Sequence, residues 1–315
     1  MNPFLVLATL LIASMAGGTF AADKPRPEHI GVSISSIANP YFVALTRGAQ
    51  ERARQLNPQV KLTARSAEYD VPRQIAQIRE LMGLNIDLLI VSASTEDGLA
   101  AILQEARKKG IVVIGADVRA KGASQTVLTD NLQAGQKVCD YLARAINGKG
   151  TFLIQNGPQV SSVLDRVSGC KQALAAYPGI RLLSDKEDGK ASVWGGHASL
   201  QESLKHYPQI DALFTINDRQ ALGSLQALRE AGQTHTLIGS VDGSAAAVKE
   251  IAAGGQIVVS ASQSPETMGR RAIEMGVALL KGARPEAELE LLGTTLVTRD
   301  NAATFIAWDA SKPGH

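Results

Sequence analysis

Several things are scarce or missing in this sequence, and each absence removes a class of chemistry. There are two cysteines, Cys139 and Cys170, with neither a CxxC pair nor a Cys/His cluster, so a structural zinc or other metal site has no support. GxSxG, GxGxxG and the Walker pattern do not occur, which takes away the usual marks of a serine hydrolase, a dinucleotide-binding enzyme and a P-loop NTPase. His197, His206 and His235 are the histidines to weigh as bases. His197, after Gly195-Gly196, is the one near a cleft loop, and no nucleophile motif accompanies it. Neither an enzyme nor a cofactor is expected. Net charge is only +2 and no run of Lys and Arg is longer than Arg107-Lys108-Lys109, so nucleic acid has no electrostatic footprint.

What is present begins with Phe4 to Ala16, an apolar run too short for a bilayer, which takes roughly 20 residues. It ends in small residues before Thr19-Phe20-Ala21, the pattern of a secretory signal (residues 1–21) cleaved after Ala21. The start, Met1-Asn2-Pro3, carries no Lys or Arg, and a membrane-tethered start is the alternative; no cysteine follows to suggest a lipid anchor. Export to an oxidising space permits a disulfide between Cys139 and Cys170, on helices flanking one strand; two buried thiols are the other reading. At 315 residues, the chain exceeds the roughly 100–200 residues usual for one domain, and 45% hydrophobic residues can build a core.

The segment Gly31 to Leu45 sets the pattern for the remainder. A β-branched apolar strand stops at a polar turn, and Asn39-Pro40 opens a helix with Phe42, Leu45, Ala49, Ala53 and Leu56 on one face. Strands near 30–34, 60–64, 87–91, 111–116, 126–129, 151–155, 180–184, 211–216, 236–241 and 257–261 follow in alternation with helices. The helices after residue 70 are read near 71–82, 99–109, 132–146, 165–177, 196–206, 218–231, 244–253 and 266–281. Such alternation predicts doubly wound parallel sheets with right-handed crossovers, where ligands sit at the carboxyl ends of strands. Ser35, Ser36, Asn39, Asp117, Asn217, Asp218, Asp242 and Gln263 all fall just past strands. Any one of them can be a helix cap or a turn residue. As a set, amides and carboxylates at strand ends suit a neutral, hydroxyl-rich ligand.

These residues carry a resemblance. NPYF at 39–42, Asp117, TDN at 129–131, Arg166 with Gly169, TIND at 215–218, SVDG at 240–243 and SASQSP at 260–265 stand in the order found in ribose-binding protein. The chain thus resembles the periplasmic sugar-binding proteins of ABC transporters over nearly its whole length after the signal segment. The resemblance implies the type I periplasmic binding protein fold: two doubly wound parallel-sheet lobes, residues 28–129 with 264–292 and 130–263 with 293–310, joined by a three-strand hinge. Closure of such lobes around a ligand is the known motion of these proteins.

Residue by residue, the resemblance implies a ligand set of Asn39, Tyr41, Phe42 and Asp117 from one lobe, Arg166, Asn217 and Asp242 from the other, and Gln263 near a hinge crossing. Ser36 lies in the first loop of that site. The sequence departs from the family twice. Ribose binders carry Asp-Arg at the fourth strand, whereas here Val118 follows Asp117 and Arg119 comes next. The family's aromatic ring between Arg166 and Asn217 falls on Ala191, with Trp194 able to serve if the loop 189–196 is rearranged; local packing of a surface tryptophan is the other reading. The ligand is therefore left open among pentoses, hexoses and polyols.

The expected function is that of a monomeric periplasmic receptor that closes over a monosaccharide and delivers it to an ABC permease. The alternative is a sugar, polyol or autoinducer sensor feeding a chemoreceptor or sensor kinase. A sugar-responsive repressor would need a helix-turn-helix before residue 28, where the apolar signal stands.

Overall fold

The computed structural model describes residues 26–285 and 287–310, and the expected signal segment lies outside them. The first sheet takes β1 (His29–Ile34), β2 (Lys61–Ser66), β3 (Leu88–Val91), β4 (Val112–Ala116) and β5 (Gln125–Thr129). Helices α1 (Pro40–Leu56), α2 (Val71–Gly83) and α3 (Ala100–Lys108) connect them. Asn39 and Asp70 cap the first two helices, accepting from the Tyr41 and Arg73 amides, each with a proline in the first turn. The second sheet takes β6 (Lys149–Asn156), β7 (Gly179–Asp188), β8 (Ala212–Thr215), β9 (Leu237–Asp242) and β10 (Ile257–Ser262). Its helices are α4 (Asn131–Ala145), α5 (Ser161–Leu174), α6 (Val193–His206), α7 (Asp218–Glu230) and α8 (Ala245–Ala252). The chain then returns to the first sheet through α9 (Pro265–Leu280) and β11 (Leu289–Leu292), and crosses back into β12 (Leu296–Thr298).

The strand orders are β11-β5-β4-β3-β1-β2 and β12-β10-β9-β8-β6-β7. The fold is therefore two α/β lobes linked by three chain crossings, near residues 129–131, 262–265 and 292–296. Every pairing is parallel except β10 with β12, which the alternation pattern did not foresee. The reason is the crossing. β10 runs towards the hinge and β12 starts from it, so neighbours joined through the other lobe meet head to tail. β11 and β12 were legible only through the resemblance, because four- and three-residue strands with half-exposed side chains leave little pattern.

Burial follows the two-faced sheet. In β3, Leu88 and Ile90 join a core with α1 and α9, while Leu89 and Val91 join the opposite core with Ile78, Leu81 and Leu103. Helices α4 and α5 meet at paired glycines: a Cβ on Gly135 would stand 2.0 Å from the Arg166 carbonyl oxygen, and one on Gly169 would stand 2.1 Å from that of Leu132. Cys139 and Cys170 form a disulfide one turn along the same contact, with Cα atoms 5.1 Å apart, so the thiol reading is set aside. The contact fixes the helix that carries Arg166.

Two helix starts differ from expectation. Helix α5 begins at Ser161 and not 165, because its N-cap, Val160, makes no side-chain cap bond that the sequence could advertise. Helix α6 begins at Val193 and not 196: Ser192 caps it through the Gly195 amide, and Gly195-Gly196, read as a loop, lie inside its first turn. Strand β7 continues to Asp188, beyond the 184 expected. Among the described residues no helix is long and apolar enough to cross a membrane.

Candidate functional site

One cavity lies where the carboxyl ends of the two sheets face each other, and all eight residues of the expected ligand set line it: Asn39, Tyr41, Phe42, Asp117, Arg166, Asn217, Asp242 and Gln263. Each is nearly buried. Asn39 and Asn217 cap helices and also line the cavity. Asn39 Oδ1 accepts from the Tyr41 amide (3.1 Å) and Asn217 Oδ1 from the Gln220 amide (2.9 Å). Capping holds each amide group in place through its Oδ1. In Asn217 the Nδ2 donates to the Ala191 carbonyl (3.3 Å).

Arg166 donates from Nε to Asn131 Oδ1 (2.8 Å) and from Nη1 to the Ile216 carbonyl (2.7 Å), so its guanidinium is locked from behind and its remaining N–H groups are available. Gln263 sits at the second crossing as a three-way tie. Its Nε2 donates to Asp242 Oδ1 (2.7 Å), and its Oε1 accepts from Thr129 Oγ1 (2.8 Å) and the Tyr41 hydroxyl (3.3 Å). Behind the cavity Asp218 is buried and accepts from Ser260 Oγ (2.7 Å), the Ser244 amide (2.7 Å) and the hydroxyls of Ser240 and Ser244.

Three acids and one guanidinium thus share a buried region. Burial pushes Asp117 up to about 6, against the pull of Arg166 and the Tyr41 hydroxyl. Burial and the neighbouring Asp218 hold Asp242 well above the carboxylate range, with Arg166 opposing. Asp218 is raised by burial against its hydrogen bonds, and Tyr41 is raised by burial and by Asp117. The backbone is strained at the same places. Asp117 has φ +71° and Asp242 φ +142°, conformations that side chains rarely adopt outside functional sites.

The three further candidates lie elsewhere. Ser36 Oγ donates to the Glu68 carboxylate, whose second oxygen accepts from Ser66 Oγ and the Ile37 amide, so Ser36 braces the loop after β2 and does not line the cavity. Arg119 points out of the cavity and forks onto Asp165 while its Nε donates to Glu96 (3.1 Å); the chain bends at Asp117-Val118, which both line the cavity. Trp194 is 68% exposed on the first turn of α6, with Lys190 Nζ 5.2 Å from its ring, so it gives no aromatic cover. Ala191 holds the place instead, lining the cavity at φ +48°. His197 pairs with Glu230 on α7 (2.8 Å), away from the cavity. Among the described residues no group of three His, Cys, Asp or Glu is placed to hold a metal.

Sequence reasoning missed Tyr69 and Trp308. Tyr69 lines the cavity from the loop that Glu68 braces, with both residues left-handed at φ +53° and +60°. Its position just past β2, ahead of the Asp70 cap, was a signal of the same kind that singled out Tyr41. Trp308 donates from Nε1 to the Asp242 carbonyl (3.1 Å) and meets the Tyr41 ring edge to face at 6.0 Å. No local pattern marks it, since its partners stand far away in the chain. Aliphatic side chains also line the cavity: Val118 from the first lobe, and Pro158, Val160, Val163 and Ile216 from the second.

With this geometry in hand, comparison with known proteins is informative. A family described as "Periplasmic binding protein domain" matches residues 30–284. The ribose import binding protein of Salmonella typhimurium is 28% identical over 285 residues, covering 90% of this chain and 95% of that one. A xylitol-binding protein of Mycolicibacterium smegmatis is 30% identical over 241 residues, 74% of this chain and 66% of that one. An ABC transporter solute binding protein from Mycobacterium smegmatis, solved with bound glycerol, superposes with a TM-score of 0.81 at 28% identity, over 87% of this chain and 95% of that one.

Proposed function

The chain belongs to the periplasmic binding protein family, and from that premise we propose that its two lobes close over a neutral monosaccharide or related polyol, which the closed form presents to an ABC permease. The observation that carries this reading is the cavity itself: Asp117, Asp242 and Arg166 face one space beside the rings of Tyr41, Phe42 and Tyr69. Carboxylates accept from hydroxyls, the guanidinium donates to ring or hydroxyl oxygens, and aromatic faces cover a sugar's C–H side. An anionic ligand would meet two acids for one base. A neutral ligand that bridges the lobes stabilises the closed form by its differential contacts.

On this reading Asn39, Tyr41, Phe42, Asp117, Arg166, Asn217, Asp242 and Gln263 are the ligand set, and the hinge divides lobes of residues 28–129 with 264–292 and 130–263 with 293–310. No reaction is proposed. The mature protein is a periplasmic monomer that begins after Ala21. The test is a thermal-shift screen of the mature chain with D-ribose, D-allose, xylitol and myo-inositol, followed by calorimetry on any ligand that raises the melting point. Binding by none of a broad panel of sugars and polyols would overturn the reading.

A further inference from the structure

Arg119 stands where the lobes touch and makes a contact that the ligand set does not include. Its backbone amide donates to Ser161 Oγ (2.8 Å), its Nη1 and Nη2 fork onto the two oxygens of Asp165, and its Nε donates to Glu96 Oε2 (3.1 Å). Glu96 and Arg119 follow β3 and β4 in the first lobe; Ser161 and Asp165 are in the first turns of α5, in the second. Among the described residues no other hydrogen bond or ion pair joins the lobes away from the three crossings and Gln263. The contact borders the cavity on both sides, because Val118 lines it beside Arg119, and Ser162, Val163 and Arg166 line it from α5.

We infer that Arg119 is a closure-positioning residue: a clamp, held by Glu96, that seizes Asp165 and Ser161 at the cavity mouth and stabilises the closed form whatever the ligand. The physical basis is the fork. A planar guanidinium reads a carboxylate through two parallel bonds, and Glu96 has already fixed its orientation, so closure orders few additional torsions. Asp165 is one quarter exposed and Arg119 slightly more, so the pair is partly screened and its effect is modest. Because the clamp does not touch the cavity, it changes the population of the closed form and leaves the choice among ligands alone. Apparent dissociation constants then scale with that population by one common factor.

The inference rests on the closing-receptor reading, but its first test needs no ligand. Small-angle scattering of the unliganded mature chain is compared with R119Q and D165N, singly and combined. A more expanded average for each variant, with the double variant no more expanded than the singles, is the expected result. Scattering identical to that of the unaltered chain overturns the clamp while leaving the receptor reading intact. The second test takes those sugars and polyols among D-ribose, D-allose, xylitol and myo-inositol that the unaltered chain binds. R119Q should weaken every one of them by the same factor, about three- to tenfold, mainly through faster dissociation. A change in their order of affinity would overturn the inference, since it would mean that Arg119 reaches the ligand.

Discussion

The two lobes share one fold and divide the cavity unequally. The first lobe brings rings, Tyr41, Phe42 and Tyr69, with one acid, Asp117; the second brings Arg166, Asn217 and Asp242 against an aliphatic wall. Their rigidity differs in the same sense. Arg166 is locked by Asn131 and the Ile216 carbonyl on a helix that a disulfide ties to its neighbour. Tyr69 rides a strained loop braced by the Glu68 carboxylate. Arg166 stands on a covalently tied helix, where a misplaced guanidinium among buried acids would be costly. Of the three rings, Tyr41 and Phe42 stand in the first turn of α1 and only Tyr69 rides a loop, which ring packing tolerates because it is less directional.

The largest expected effect separates the lobes by stability. Replacing both Cys139 and Cys170 by Ala removes a cross-link spanning 31 residues and should cost about 3–4 kcal/mol by loop-closure entropy. Hydrogen exchange should show the loss in α4, α5 and β6 and leave α1 and α9 protected; uniform deprotection would break the distinction between lobes.

Next is Asp117, whose folded value of about 6 exceeds its ordinary 3.8. A raised carboxyl favours the folded state below about 4, and that advantage is lost as pH climbs to about 6, amounting to about 3 kcal/mol. D117N should therefore flatten the unliganded pH–stability curve over that window and raise the melting point at pH 7, while weakening sugar binding. Denaturant titrations at pH 4, 5, 6 and 7 check this. A curve as steep in D117N as in the unaltered chain would assign the strain elsewhere.

For Arg166, calorimetry should show R166A binding weakened by about 2 kcal/mol or more, the cost of an unpaired buried partner. D242N should lose less than R166A, because a neutral amide keeps its bond with Gln263 and removes one of three neighbouring acids. The smallest expected effect is at Tyr69. Y69F removes a hydroxyl from the loop side of the cavity and should cost about 1 kcal/mol of affinity, with S36A moving in the same direction through the brace. Equal losses for Y69F and R166A would erase the contrast between the rigidly held Arg166 and the loop-borne Tyr69.

Much of this was legible because it is local. A cap such as Asn39 or Asn217 is set by the next few residues, and strand-end positions follow from alternation, so Asn39, Asp117, Asn217, Asp242 and Gln263 could be located before any fold was drawn, whereas Tyr41, Phe42 and Arg166 were added by the family resemblance. Asp117, Asp242 and Gln263 each mark the point where a strand stops. The errors fall where local and distant forces compete. Gly195-Gly196 look like a loop in isolation, yet they lie in a helix because Gly196 lets α6 approach Gln220, where an added Cβ would stand 2.4 Å from the backbone oxygen. Trp194 was weighed as cover because its ring type fits, but a residue in the second position of α6 faces outward once that helix docks.

The sequence alone determined doubly wound parallel sheets and the polar set at their strand ends, since both follow from short-range periodicity and capping, and the division into two lobes came through the family resemblance. Only the tertiary structure decided which groups face each other. It turned Arg119 from the ligand to Asp165, brought Trp308 beneath Tyr41 and Asp242, closed the disulfide, and buried three acids around one arginine. Those outcomes depend on contacts between residues tens to hundreds of positions apart, whose energies arise from burial and mutual geometry that no segment carries by itself.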